Sequence, residues 1–95
     1  MDFQRVVFSG HAVQRMFERA LSKDDVVDVI REGEVVEHYA KDTPYPSCLM
    51  LGYARTTPIH VVVGIDEPQE TVIVITAYVP HPALWSDDFR TRRQR

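Results

Sequence analysis

Three nitrogen-rich side chains recur at a spacing of four: His11, Arg15 and Arg19. On a helix, positions i, i+4 and i+8 lie along one ridge. A guanidinium can hold two phosphate oxygens at once, and an imidazole moves protons near neutral pH. The row could therefore clamp a phosphate, with Arg15 or Arg19 on its oxygens and His11 as acid or base. A second cluster depends on strand register. If Ile65 faces Thr71 across a polar loop, His60 faces Thr76 and Val62 faces Val74. His60, Thr76 and Tyr78 then share one face of a sheet. A one-residue slip would move His60 to the other face. His60 could transfer a proton, and Tyr78 could hold a phosphate or a substrate oxygen. Beyond Tyr78, His81 and Trp85 flank Pro82-Ala83-Leu84, a second stretch able to carry function.

Each group has a plain structural alternative. A lone histidine in an apolar strand can be a satisfied core residue. Tyr78 can be a core aromatic with its hydroxyl at the edge. The His11 row can be a solvated helix face.

These residues need elements to hold them. Residues 71–79 are rich in β-branched side chains and end at Pro80. The run is apolar on both alternating sets, Val72, Val74 and Tyr78 against Ile73, Ile75, Ala77 and Val79. That pattern suits a strand inside a sheet, covered on both faces. Phe3 to Phe8 reads as a short first strand. Ser9 is a natural N-cap for a helix whose core arc holds Ala12, Val13, Met16, Phe17 and Ala20. Ser22, with Asp25 three residues on, opens a second helix that buries Val26, Val27, Val29 and Ile30. Gly33 stands at its C′ position. Strands follow at Glu34–Tyr39, Ser47–Arg55 and Ile59–Ile65, separated by Pro-rich or polar turns. After Pro80 and Pro82, residues Leu84, Trp85 and Phe89 are expected to fold back on the sheet as a short helical turn. The order β-α-α-β-β-β-β predicts a single α+β domain over residues 1–95. Two helices pack on one face of a curved, mainly antiparallel sheet.

The totals narrow the classes. The formal net charge is −3, yet the last six residues hold Arg90, Arg92, Arg93 and Arg95 and no acid. Most of the surface should repel polyanions, while the 90–95 tail could contact nucleic acid or an acidic partner. The single cysteine, Cys48, excludes an internal disulfide framework and suits a reducing, cytoplasmic setting. No apolar run is long enough to span a membrane, and there is no secretory leader. His11, His38, His60 and His81 share no metal-ligand spacing, so no metal or other cofactor is expected. There is no Gly-rich phosphate loop and no G-x-S-x-G.

Several segments together carry a resemblance. They are Phe8-Ser9-Gly10-His11-Ala12-Val13-Gln14-Arg15-Met16, Val29-Ile30-Arg31-Glu32-Gly33, Ile59-His60-Val61-Val62-Val63, Ile75-Thr76-Ala77-Tyr78-Val79-Pro80, and Trp85 with Phe89-Arg90-Thr91-Arg92-Arg93. In this order they resemble the small prokaryotic family catalogued as domain of unknown function 4258. That family is similar in layout to the RelE-like and MqsR-like toxins, small ribonucleases paired with an antitoxin-like protein. The resemblance implies a toxin-like endoribonuclease that cleaves RNA by metal-independent acid/base chemistry. His11, His60 or Tyr78 would handle the protons, and Arg15 or Arg55 the phosphate. Arg19, His81, Trp85, Arg90, Arg92 and Arg93 would make further substrate contacts. It also implies a cleft between the first helix and the sheet, with His11 and Arg15 near Tyr78. Such toxins are strongly basic, and this chain is acidic apart from its tail. The alternative is a non-catalytic protein-binding module or homodimer that uses the sheet face the helices leave open.

Overall fold

The structure, a computed structural model, describes residues 1–94. Seven elements follow in the expected order. They are β1 (Arg5–Phe8), α1 (Gly10–Glu18), α2 (Lys23–Glu32), β2 (Glu34–Tyr39), β3 (Ser47–Ala54), β4 (Thr57–Asp66) and β5 (Thr71–Tyr78). The sheet order is β1-β5-β4-β3-β2. Three antiparallel pairings form a meander, and β1 adds to the far side of β5 in parallel. The fold is α+β, with both helices on one face.

The helix starts follow from their serines. Ser9 Oγ accepts from the Ala12 N–H, and Ser22 Oγ from the Asp25 N–H, both at 3.0 Å. The α1 end is closed by a pair of reversed bonds. The Leu21 N–H donates to Met16 O at 2.9 Å and the Ala20 N–H to Phe17 O at 3.2 Å. That arrangement forces Ala20 to φ 55, the left-handed region where glycine is the usual residue. At the α2 end, Gly33 is extended, with φ −78 and ψ −175, and so is not a left-handed C′ glycine. A side chain is excluded there by space. A Cβ on Gly33 would sit 2.5 Å from Leu51 O, where α2 runs directly into the sheet.

The core lies between the helices and one sheet face. Ala12 and Met16 of α1 and Val26, Val29 and Ile30 of α2 meet Cys48, Met50, Ile59, Val61, Val63, Val72, Val74 and Ala77. α1 lies on β5, and α2 on β3 and β4. The α1 stripe is narrower than its apolar arc, because nothing lies beyond the sheet margin to cover the rest. Val13 is exposed, and Phe17 is 87 % exposed.

Two bulges decide what faces where. In β5 the partners step from Val63↔Val74 to Val62↔Thr76, leaving Ile75 without a partner. Ala77 therefore joins Val72 and Val74 in the core, and Tyr78 turns to the opposite face. The expected grouping of Tyr78 with Val72 and Val74 does not form. The register also differs: Asp66 faces Thr71, Val62 faces Thr76 and His60 faces Tyr78 directly. The offset at this end is two residues, so His60, Thr76 and Tyr78 still share a face. A second bulge, at Val36 in β2, brings Glu37 opposite Leu49 on that same face.

The second face is not left open at this end. Residues 80–94 return across it as turns rather than a helix, joined by a bridge between Trp85 and Arg92. Trp85 is 2 % exposed, and Leu49 and Leu51 beneath are buried. No helix of the described residues is long and apolar enough to cross a membrane.

Candidate functional site

Four residues line up across the second face: Glu34 on β2, Leu51 on β3, His60 on β4 and Tyr78 on β5. His60 is wholly buried, and its two nitrogens have different partners. Nε2 is 2.9 Å from the Phe89 carbonyl, which can only accept, so Nε2 carries the proton. Nδ1 is then an acceptor, and the Tyr78 hydroxyl donates to it at 3.3 Å. Trp85 seals the imidazole edge-on, with ring centroids 4.4 Å apart. Burial holds the His60 pKa below its usual value, which keeps the ring neutral near pH 7.

The Tyr78 phenol is the half-buried outer end of this pair. Burial raises its pKa, Arg92 and Arg19 pull it down, and Glu37 pushes it up. Arg19 reaches it around the sheet edge. β1 pairs only with residues 71–74, so β5 is unpaired on that side beyond Val74. The Arg19 guanidinium donates to the Ala77 carbonyl at 2.8 Å and to Thr76 Oγ1 at 3.4 Å, which blunts the open edge. Arg92 lies over the Trp85 ring, 4.6 Å from its centroid. Among the described residues it makes no ion pair.

Two residues here were missed in the sequence. The Tyr39 hydroxyl donates to Glu37 Oε2 at 3.0 Å. Burial, and then that carboxylate, pushes its pKa up to about 12. Strict alternation from Glu34 would have turned Glu37 to the helix side, and only the bulge at Val36 brings it here.

The remaining candidates lie elsewhere. His11 and Arg15 are exposed on α1, across the sheet from Tyr78, and Arg15 pairs with Glu18 at 3.4 Å. Their expected convergence with Tyr78 does not occur, because the bulge sends Tyr78 away from the helices. Of the ridge His11–Arg15–Arg19, only Arg19 reaches the site. Arg55 stands at φ 58 in the tight β3–β4 turn. His81 Nδ1 accepts from the Ala83 N–H, shaping a local turn. Arg90 pairs with Glu34 and Asp88, and Arg93 with Asp87 and the Pro82 carbonyl. Two of the four tail arginines, Arg90 and Arg93, are thus paired with acids, and Arg95 lies outside the described residues.

Two hollows lie away from the expected cleft between α1 and the sheet. One of about 540 Å³ is rimmed by Asp28, Glu32, Glu34 and Tyr53. Another, of about 370 Å³, lies near Phe3, Asp66 and Glu70. Among the described residues, no three His, Cys, Asp or Glu side chains gather to hold a metal ion.

The arrangement can do one thing chemically. It presents a phenol whose hydrogen points inward to a neutral imidazole and whose charge is acted on by Arg92, Glu37 and Arg19.

The domain is thus a helix pair on one face of a five-stranded sheet, with a His–Tyr pair on the other. Residues 8–79 match the family described as a domain of unknown function, DUF4258, and the chain belongs to that family. No curated protein matches the chain, and no solved structure matches it.

Proposed function

We propose that the Tyr78 patch handles an RNA phosphodiester, and that the protein is a toxin-like endoribonuclease held in check by an antitoxin-like partner. The observation that carries this reading is the Tyr78 hydroxyl donating to Nδ1 of a buried, neutral His60 beside Arg19 and Arg92. The phenol oxygen accepts the proton of a ribose 2′-hydroxyl while its own hydrogen passes to Nδ1. The 2′-oxygen attacks phosphorus, and the bond to the 5′-oxygen breaks. The proton then returns through Tyr78 to the leaving oxygen. Arg19 and Arg92 balance the charge on the non-bridging oxygens. The cycle as proposed is metal-independent, with Tyr78 and His60 handling each proton. The chain's acidity restricts contact with RNA to this patch.

Purified protein is incubated with single-stranded RNA, alongside Tyr78→Phe and His11→Ala. Wild type and His11→Ala should cleave, and Tyr78→Phe should be slower by roughly 10²- to 10⁴-fold. No cleavage by the wild type, or equal cleavage by Tyr78→Phe, ends the reading.

One observation favours a second reading, a non-catalytic protein-binding module or homodimer. Phe17 is 87 % exposed, with Val13 one turn before it on the same side of α1. The docking surface would then be this helix ridge rather than the sheet face, which residues 80–94 partly cover. Light scattering on wild type and Phe17→Ser separates the two. A wild type that is monomeric and carries no co-purifying partner excludes the module.

A further inference from the structure

We infer that residues 80–94 form a strap that docks on the sheet as a separately closed unit, and that its docking assembles the site. The second half of this inference rests on the reading of Tyr78 and His60 as a working pair.

The strap's main-chain bonds close on itself. The Leu84 and Trp85 N–H groups donate to the His81 carbonyl at 2.9 and 3.2 Å. The Ser86 N–H donates to Thr91 O at 2.7 Å, the Phe89 N–H to Ser86 O at 2.8 Å and the Arg93 N–H to Leu84 O at 2.8 Å. Among the described residues, no main-chain bond joins residues 81–94 to a strand. Its acids serve it as well: Asp88 accepts from the Ser86 hydroxyl at 2.6 Å, and Asp87 pairs with Arg93. Lifting the strap would break no ladder bond, the condition for an element that opens apart from the rest of the fold.

Its grip on the sheet is the ion pair at Glu34 and the contacts to His60 along one row, with the charge of Arg92 acting on Tyr78 beyond them. Arg90 meets Glu34 at one end, at an exposed ion pair that water and salt weaken. Trp85 and the Phe89 carbonyl meet His60 in the middle. Arg92 acts on Tyr78 at the other end. Phe89 is held at φ 61, a conformation that is costly for an aromatic residue. Pro80 and Pro82 stiffen the point where the strap leaves β5. The matched family region ends at residue 79, so the row lies inside it and the strap beyond.

The strap supplies two parts the sheet lacks. The Phe89 carbonyl fixes the His60 tautomer, which leaves Nδ1 to accept from Tyr78. Arg92 brings the second cation. With the strap undocked, the imidazole is free to change tautomer and faces water, and only Arg19 remains beside the phenol. The docked form is therefore the competent one, and Glu34 and Arg90 are positioning residues, since they touch none of the reacting atoms.

Two readouts test this on the full chain without RNA. Amide hydrogen exchange should show Trp85, Ser86, Phe89 and Arg93 exchanging together, at least tenfold faster than Val61 and Val63. Diethylpyrocarbonate, followed by peptide mass spectrometry, should modify His60 slowly and the exposed His11, His38 and His81 quickly. Glu34→Arg should speed both strap exchange and His60 modification several-fold, with the β4 amides unchanged. The double reversal of Glu34→Arg with Arg90→Glu should restore both. Strap amides as protected as Val61 and Val63, or a Glu34→Arg variant that leaves both readouts unmoved, overturn the strap. If RNA is cleaved, Glu34→Arg should lower the rate and the double reversal recover it. An unchanged rate in an opened strap overturns the assembly claim alone. A protein that cleaves no RNA leaves the strap result standing and fails the reading it rests on.

Discussion

His60 and Phe89 are 29 residues apart in sequence, yet the imidazole of one donates to the carbonyl of the other at 2.9 Å. This bond fixes the ring's proton on Nε2 and couples the sheet to the returning segment. A proton added at Nδ1 creates a charge that burial disfavours unless an anion beside Tyr78, such as the phosphate of the proposed reaction, offsets it.

That burial makes stability depend on pH. The His60 pKa is lowered on folding by burial, with Arg92 adding to the effect and the Phe89 carbonyl opposing it. The unfolded histidine titrates near about 6.5 and binds more protons than the folded one below that value. Stability should therefore hold above this pH and decline as the pH falls through it, until the folded value is passed. Urea midpoints at pH 7.5 and pH 5.5, for wild type and His60→Gln, check this. The wild type should lose more on acidification, and equal losses would remove the argument.

Tyr78→Phe deletes the donor to Nδ1 and leaves a buried acceptor unpaired. The cost should be about 1–2 kcal/mol. In a domain of this size that is a fall in Tm of roughly 5–15 °C. Thermal melts followed by far-UV circular dichroism measure it. An unshifted melt would mean the 3.3 Å contact contributes nothing to the fold.

Gly33→Ala should destabilise by about 1–3 kcal/mol, because the new methyl meets backbone that cannot move aside cheaply. Its Cβ would lie 2.4 Å from Val29 O and 2.5 Å from Leu51 O. Backbone dihedrals would not forbid this change, since Gly33 has φ −78. Urea unfolding decides between space and conformation: a neutral substitution would mean that α2 can shift away from β3.

Ala20→Gly should act in the opposite direction. Ala20 is held at φ 55 by the closing bonds of α1. Glycine adopts that conformation without strain, which should raise stability by about 0.5–1 kcal/mol even after its greater freedom in the unfolded chain. A lower urea midpoint would show that the unfolded-state term wins.

Much of the fold was legible because its signals are local. Ser9 and Ser22 cap helices where their hydroxyls permit, and Pro80 ends the last strand. The hairpins follow from their polar turns. The sharing of a face by His60, Thr76 and Tyr78 was also legible, through a register two residues away from the real one. What was not legible depends on one extra residue or on distant parts of the chain. Neither Ile75 nor Val36 carries a mark that it will bulge. Yet Ile75 sends Tyr78 away from His11 and Arg15, and Val36 brings in Glu37. Arg90 and Arg93 read as a free basic tail because their partners, Glu34 and Asp87, are set by how the segment folds back. Phe17 belongs to the apolar arc of its helix, and nothing in the sequence says that the sheet stops short of it.

The parallel pairing of β1 with β5 sets an order on how the molecule can be built. Residues 5–8 have no strand to join until residues 71–74 exist. Closing so wide a loop is slow compared with forming either helix or any of the three hairpins. The pairing of β1 with β5 is therefore the longest-range closure in the sheet, and it is expected to follow the meander. The apolar flank of α1 likewise has no β5 surface to rest on until residues 71–78 have been made.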